Sequence, residues 1–141
     1  MSREVKGRCL CGAISFTARG PFEKTSSCHC SQCARWTGGV FSSTTVARAT
    51  LEIAGGENLE WYDSSDHARR GFCTRCGSSL FWENPGSGRI DLLLGALTPP
   101  VHLEVDYHIF VGGKSDYYRI CDGKPQYIEY TNGPRADETG E

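Results

Sequence analysis

The sequence is short of several things that would announce a class. It has one methionine, no stretch near the roughly 18 apolar residues that cross a bilayer, and no long run of 3.6-residue apolar periodicity. A membrane helix and a coiled coil are therefore excluded as expectations. Charge of one sign is also missing: 15 lysines and arginines stand against 17 aspartates and glutamates, a net charge of -2. No general field draws such a chain to nucleic acid or an anionic membrane, and Arg3, Lys6, Arg8, Arg69 and Arg70 form no basic run. Met1-Ser2-Arg3-Glu4-Val5-Lys6 leads into no apolar segment of the secretory kind, so the expected location is the cytoplasm. With 38% hydrophobic and 23% charged residues the chain is too apolar to stay disordered, and its 141 residues suit one domain.

What the sequence does have is cysteine, eight of them, and glycine, 17. In a reducing compartment clustered thiols serve metals or catalysis more often than structural disulfides. Cys9-Leu10-Cys11 is followed by Gly12, and Cys73-Thr74-Arg75-Cys76 by Gly77. Each pair has the form of a metal knuckle, a tight turn in which glycine takes a positive φ and the backbone N–H groups face thiolate sulfur. Two such pairs make one closed tetrahedral zinc site. Between them lies Cys28-His29-Cys30-Ser31-Gln32-Cys33, the candidate active site.

The chain in order predicts mostly strands. Ala13–Ala18 alternates apolar with small polar residues, Val40–Val46 is rich in β-branched and aromatic residues, and Leu51–Ile53 and Leu59–Tyr62 read as further strands. Ala68–Phe72 and Ser78–Trp82 form a hairpin tipped by the second knuckle. Arg89–Leu94 is a more buried strand, and Glu104–Val111 the last clear apolar stretch. The central thiols are expected on a loop after Phe22–Ser27, with one helical turn at Ala34–Gly39 before two glycines end it. The fold class is thus mainly β, short antiparallel strands around a structural zinc. Residues 1–130 are expected as a single zinc-binding β domain and 131–141, polar and charged, as a loose tail.

Ligand counting carries the chemical reading. Structural zinc is held by four protein ligands, whereas catalytic zinc keeps three and leaves a position open. If Cys9, Cys11, Cys73 and Cys76 close one site, Cys28, Cys30 and Cys33 supply three ligands for a second, at which a substrate thiol would be held as thiolate. Two other readings stay open: Cys121 or one of His29, His67, His102 and His108 closes that site, or Cys30 and Cys33 act as a metal-free redox pair.

The order Cys-x-Cys-Gly, Cys-His-Cys-Ser-x-Cys, Cys-x-x-Cys-Gly-Ser, then His108-Ile109-Phe110-Val111 with Lys114 beyond, resembles the glutathione-dependent formaldehyde-activating enzyme family, which includes centromere protein V. The resemblance spans about Lys6 to Tyr127. It implies a β-tent fold with a structural zinc on Cys9, Cys11, Cys73 and Cys76 and a catalytic zinc on Cys28, Cys30 and Cys33. It also implies carbon–sulfur lyase chemistry joining glutathione to formaldehyde as S-hydroxymethylglutathione. Glutathione carries two carboxylates, so cations are expected near the zinc: Arg35 first, then Arg69, Arg70 and Lys114. Trp36 is expected mainly as core, and Cys121 as a small buried side chain. His108 is expected either to hydrogen-bond within the core or to wall the substrate pocket. The function expected is a zinc-dependent lyase-like enzyme acting on glutathione or its aldehyde adduct, with no nucleic-acid or membrane partner. A zinc-built binding module and a thiol–disulfide redox protein are the alternatives.

Overall fold

The computed structural model describes residues 3–137. The end of the expected loose tail, residues 138–141, lies outside the described residues, as do Met1 and Ser2. Among the described residues ten strands and one α-helix follow in chain order: β1 Glu4–Arg8, β2 Ser15–Arg19, β3 Glu23–Cys28, α1 Ser31–Thr37, β4 Phe41–Ala47, β5 Glu52–Ala54, β6 Leu59–Asp63, β7 Arg69–Cys73, β8 Ser79–Glu83, β9 Arg89–Leu93 and β10 Tyr107–Ile109. The mainly β class is as expected.

The described chain divides into two compact units. The first joins the described part of Met1–Lys24 to Ser43–His102. In it β1, β2 and β5 form a small antiparallel sheet, with Glu4 opposite Arg19 and Phe16 opposite Ile53. Alternation on β2 explains its orientation: Phe16 and Ala18 are buried while Ser15 and Arg19 are exposed, as a strand with one wet face requires. A larger antiparallel run follows the order β4-β9-β8-β7-β6, with Val46 opposite Ile90, Phe81 opposite Leu92 and Gly71 opposite Trp61. Ile14, Val46, Leu80, Phe81, Ile90 and Leu92 form its fully buried core. Phe16 and Phe81 meet edge to face with centroids 5.0 Å apart, a geometry that aromatic quadrupoles favour. Asp91 is a half-buried carboxylate between Ile90 and Leu92 in sequence; it accepts from Thr45 Oγ1 at 2.7 Å and more weakly from Ser43 Oγ at 3.4 Å.

The second unit joins Thr25–Ser42 to the described part of Leu103–Glu141. Its central pairing is parallel, an exception to the antiparallel expectation: Ser26 faces Tyr107, Ser27 faces His108 and Cys28 faces Ile109. An isolated bridge adds Gln126 beside His108, and another joins Tyr127 to Arg135. Residues within 131–137 are tied by Ile128 N to Pro134 O at 3.0 Å and by the Arg135–Asp137 ion pair at 2.6 Å.

Two local expectations need correction. The run Phe22–Ser27, to which the sequence assigns no element and only the delivery of the thiol cluster, is largely β3, whose Thr25, Ser26 and Ser27 are all buried despite being polar. The helix begins at Ser31, three residues earlier than the expected turn. The reason is Cys30, which stands in extended backbone at the N-cap and accepts a hydrogen bond from Cys33 N on its own Sγ at 3.3 Å. Gly38, at φ 84°, ends the helix in the left-handed conformation, as its glycines led one to expect.

Candidate functional site

Two groups of thiols come together, and they are the two groups that spacing predicts. In the first unit the ligand atoms of Cys9, Cys11, Cys73 and Cys76 all lie within 4.8 Å of one another. Each arm is held by its own turn. Cys9 N donates to Ile14 O and Ile14 N donates back to Cys9 Sγ at 3.3 Å, while Arg75 N donates to Cys73 Sγ at 3.3 Å. Gly12 and Gly77 sit at φ 81° and 78°, so the predicted left-handed corners are present. Ser78 links the two arms, accepting from Leu10 N at 2.9 Å and lying 3.2 Å from Cys76 Sγ.

The sulfur separations test whether these side chains fit a metal. Cys9 Sγ is 3.6 Å from Cys11 Sγ, and Cys11 Sγ is 3.8 Å from Cys73 Sγ. A tetrahedron with zinc–sulfur bonds of about 2.3 Å has sulfur–sulfur edges of about 3.8 Å. The thiols are therefore spaced as zinc ligands are and far too wide for disulfides, and none of the eight cysteines forms one. Ionisation is shared unequally. Ser78 and backbone N–H groups hold Cys76 down at about 5. Ala13 N–H also favours the Cys11 thiolate, yet burial and the neighbouring Cys9, Cys76 and Cys73 push it up to about 11.

In the second unit Cys28 ends β3, Cys30 caps α1, and Cys33 lies on that helix's first turn. The expectation of a loop is thus corrected: the thiols are carried by a strand end and a helix start, which hold them more firmly than a loop would. Their ligand atoms lie within 4.8 Å of one another, and among the described residues no fourth histidine, cysteine or carboxylate joins the set. Hydrogen bonds from Cys28 and Cys33 hold Cys30 down at about 2, while Cys30 and Cys33, with burial, push Cys28 far up. Three thiols this close cannot all ionise by themselves, and a bound cation is what would let them. The donor set fits a soft-ligand metal of the zinc kind.

Beside this cluster runs a chain of polar side chains. His29, 3% exposed, places Nδ1 2.6 Å from Tyr118 Oη and Nε2 2.9 Å from His108 Nδ1. His108 Nε2 in turn lies 2.8 Å from Asp122 Oδ2. Burial, followed by the proximity of His108 and Lys114, pushes His29 down to about 4, so its ring is neutral near pH 7. The Asp122 carboxyl is held below its usual range by Lys124 N–H and by His108. The backbone fixes the same region, with His29 N donating to Ile109 O at 3.1 Å. Phe110 next to it takes φ 56°, a left-handed conformation that costs an L-residue about 1 kcal/mol and that the neighbouring Phe110 N to Glu129 O bond at 2.7 Å helps to hold.

The remaining expectations fall out as follows. Arg35 is exposed on the last turn of α1. Arg69 is engaged by Glu83, with Nε 2.9 Å from Oε1, and stacks over Trp61; Arg70 is 2% exposed in β7. Lys114 donates to the carbonyls of Ser115 and Tyr118, and its ammonium lies 4.4 Å from the Tyr118 ring centre. Trp36 is half-buried against Phe41. His108 is buried as expected of a core residue, yet it joins the polar chain. Cys121 is exposed, not buried: the hydrophobic rule for free cysteine loses to its place in a polar loop. Tyr118 and Asp122 were missed, because nothing in the polar stretch Ser115–Gly123 carries a spacing signal.

Comparison with known proteins bears on this site. A protein of Schizosaccharomyces pombe named as an uncharacterized lyase is 35% identical over 79 residues, covering 56% of this chain and 57% of that protein. A Halomonas elongata protein provisionally named as a glutathione-dependent formaldehyde-activating enzyme is 29% identical over 89 residues, covering 57% of each. The chain thus spans under three-fifths of the length of these curated relatives. A crystal structure of a Rhodobacter sphaeroides protein superposes with a TM-score of 0.56 at 27% identity, covering 71% of this chain and 96% of that one. Residues 4–113, which carry all seven clustered cysteines, match the family described as glutathione-dependent formaldehyde-activating enzyme, and this chain belongs to that family.

Proposed function

We propose that this chain is a zinc-dependent carbon–sulfur lyase-like enzyme of the cytoplasm, acting on glutathione or on a glutathione–aldehyde adduct of the S-hydroxymethylglutathione type. The observation that carries the reading is the three-thiol set Cys28, Cys30 and Cys33, which no fourth side chain completes among the described residues. Bound there, zinc supplies a Lewis-acidic position at which a soft substrate donor, a thiol, ionises near neutral pH. The chain's own residues do the rest. Cys28, Cys30 and Cys33 hold the metal and Cys9, Cys11, Cys73 and Cys76 hold a second, structural one. Arg35, exposed at the end of α1, offers a guanidinium to a glutathione carboxylate. Family membership and the names of the relatives support the lyase class and glutathione as the thiol.

Native mass spectrometry and cobalt substitution test this directly. Two metals per chain are expected, and glutathione should change the cobalt absorption of the central site by entering as a fourth sulfur. One metal per chain, or a cobalt spectrum indifferent to glutathione, would leave only a zinc-built scaffold. A Cys30–Cys33 disulfide that forms at cytosolic potentials in place of metal binding would instead favour a redox protein.

A further inference from the structure

The central thiol cluster opens to solvent on one side, and burial identifies which. Cys28 and Cys33 are 9% and 5% exposed, whereas Cys30 is only half-buried, so a thiol reaching the three sulfurs from solvent passes Cys30. The turn that follows β10 stands next to this residue. His29 N donates to Ile109 O at 3.1 Å, and the position a Cβ would take on Gly113 lies 4.0 Å from Cys30 Cα. Cys30 Sγ is two bonds from that Cα, hence no more than about 7 Å from the same position.

This turn is bonded along its whole length. Phe110 N donates to Glu129 O at 2.7 Å, Val111 N to Tyr127 O at 3.1 Å and Gly112 N to Ile128 O at 3.0 Å, while Gly113 N and Lys114 N close the turn on Phe110 O and Val111 O. Lys114 Nζ reaches on to the carbonyls of Ser115 and Tyr118, and the Tyr118 hydroxyl is 2.6 Å from His29 Nδ1.

Its two glycines differ in what requires them. A Cβ on Gly112 would stand 2.9 Å from Ile128 Cγ2 and 3.1 Å from Ile128 O, so packing demands glycine there. Nothing of the kind holds at Gly113. It has no positive φ, it is exposed, and outside its own turn Cys30 Cα is the one described atom within 4 Å of its Cβ position, at ordinary van der Waals distance. Neither backbone nor packing requires the missing side chain. What its absence leaves is room, beside Cys30 and on the open side of the cluster.

We infer that Gly113 is a specificity-determining residue of the central site: by lacking a side chain it leaves the space beside Cys30 that the peptide flanks of a thiol such as glutathione occupy when its sulfur reaches the cluster. The inference rests on the thiol reading proposed above and adds to it the size of the substrate. A cysteinyl sulfur within a peptide brings a peptide group on either side of its Cα close behind it, whereas a small alkyl thiol brings no such bulk. Glutathione therefore needs the gap, and a small thiol does not. A side chain at 113, carried by a turn that cannot swing away, would project into that gap.

Thiol binding to the cobalt-loaded protein tests this without turnover, read as the change in absorption when sulfur enters the central site. Gly113→Leu should weaken glutathione binding about tenfold or more and leave 2-mercaptoethanol within about twofold of wild type, with metal content and Tm unchanged. Gly113→Val, shorter but still filling the gap, makes the same comparison if leucine costs the protein its metal. Equal weakening of both thiols, or of neither, overturns the role of Gly113 and leaves the lyase reading intact. A wild-type protein whose cobalt spectrum responds to neither thiol overturns the thiol reading, and the role of Gly113 with it.

Discussion

The thiol of Cys30 caps the helix that carries Cys33, accepting Cys33 N–H at 3.3 Å. One of the three clustered thiols is thus also the group that satisfies an orphan donor at a helix start, and α1 cannot unwind without moving two of these thiols at once.

This double duty can be separated by mutation. Cys30→Ser and Cys30→Ala should both lose the central metal, but serine is a good N-cap and alanine a poor one, so the alanine variant should be the less stable by about 1 kcal/mol and melt at the lower temperature. Both should keep the structural zinc and lose activity toward the thiol substrate. Calorimetry with metal analysis decides it; equal melting of the two variants would remove the cap from the account.

The outer cluster should behave oppositely. Cys9→Ser or Cys73→Ser removes one of the two most buried members of the set, 1% and 0% exposed, whose arms are locked to Ile14 and Ser78. Metal-binding energy at closed sites is folding energy, on the order of 10 kcal/mol. Either variant should therefore lose one zinc and most of its cooperative unfolding, as followed by circular dichroism. Full zinc content with normal melting would sink the structural assignment.

Asp91 gives a pH prediction. Burial raises its carboxyl above the usual range, against the lowering effect of Thr45, Ser43, Lys24 and Arg89. A raised folded value means that its favourable contribution is present below the unfolded value and lost as pH climbs through the folded one. The difference in Tm between Asp91→Asn and wild type should therefore shift in the variant's favour between about pH 4 and pH 7. A pH-independent difference would show that the carboxyl titrates normally.

We further propose that residues 1–130 act as one folding domain. Neither unit is continuous in sequence, and the chain passes from one to the other within β3 and again within β4. No contiguous fragment consists of one unit alone, so thermal unfolding should give a single transition by both far-ultraviolet circular dichroism and tryptophan fluorescence. Two resolved transitions would divide the domain.

How much of this is legible in the sequence depends on whether the signal is local. The knuckles are, because Cys-x-Cys-Gly and Cys-x-x-Cys-Gly specify both ligand spacing and a left-handed corner. So are β2 and β8, where side chains such as Phe16 and Leu80 declare a buried face. β3 is not: Thr25, Ser26 and Ser27 are polar and all buried, so hydropathy hides the strand that delivers Cys28. A seven-residue helix shows too little periodicity to locate its start. The polar chain of His29, His108, Tyr118 and Asp122 is invisible for a different reason, since His29 and Tyr118 are 89 positions apart and no spacing rule joins them. The closed-site alternatives could be decided only once the ligand atoms were placed in space, where His29 and His108 turn toward each other.

The side-by-side run of β3 and β10 has a consequence for how this chain tolerates change in length. Ser27 opposite His108 brings the two histidine-bearing segments into phase, and neighbouring positions on a strand face opposite ways. One residue inserted or deleted within Tyr107–Ile109 would leave the composition almost untouched and every cysteine in place, yet swing the imidazole of His108 to the other side. The stretch before it, 98–105, contains no strand and could vary in length more freely. Indels in relatives or libraries should therefore accumulate on one side of Tyr107 and stop abruptly at it.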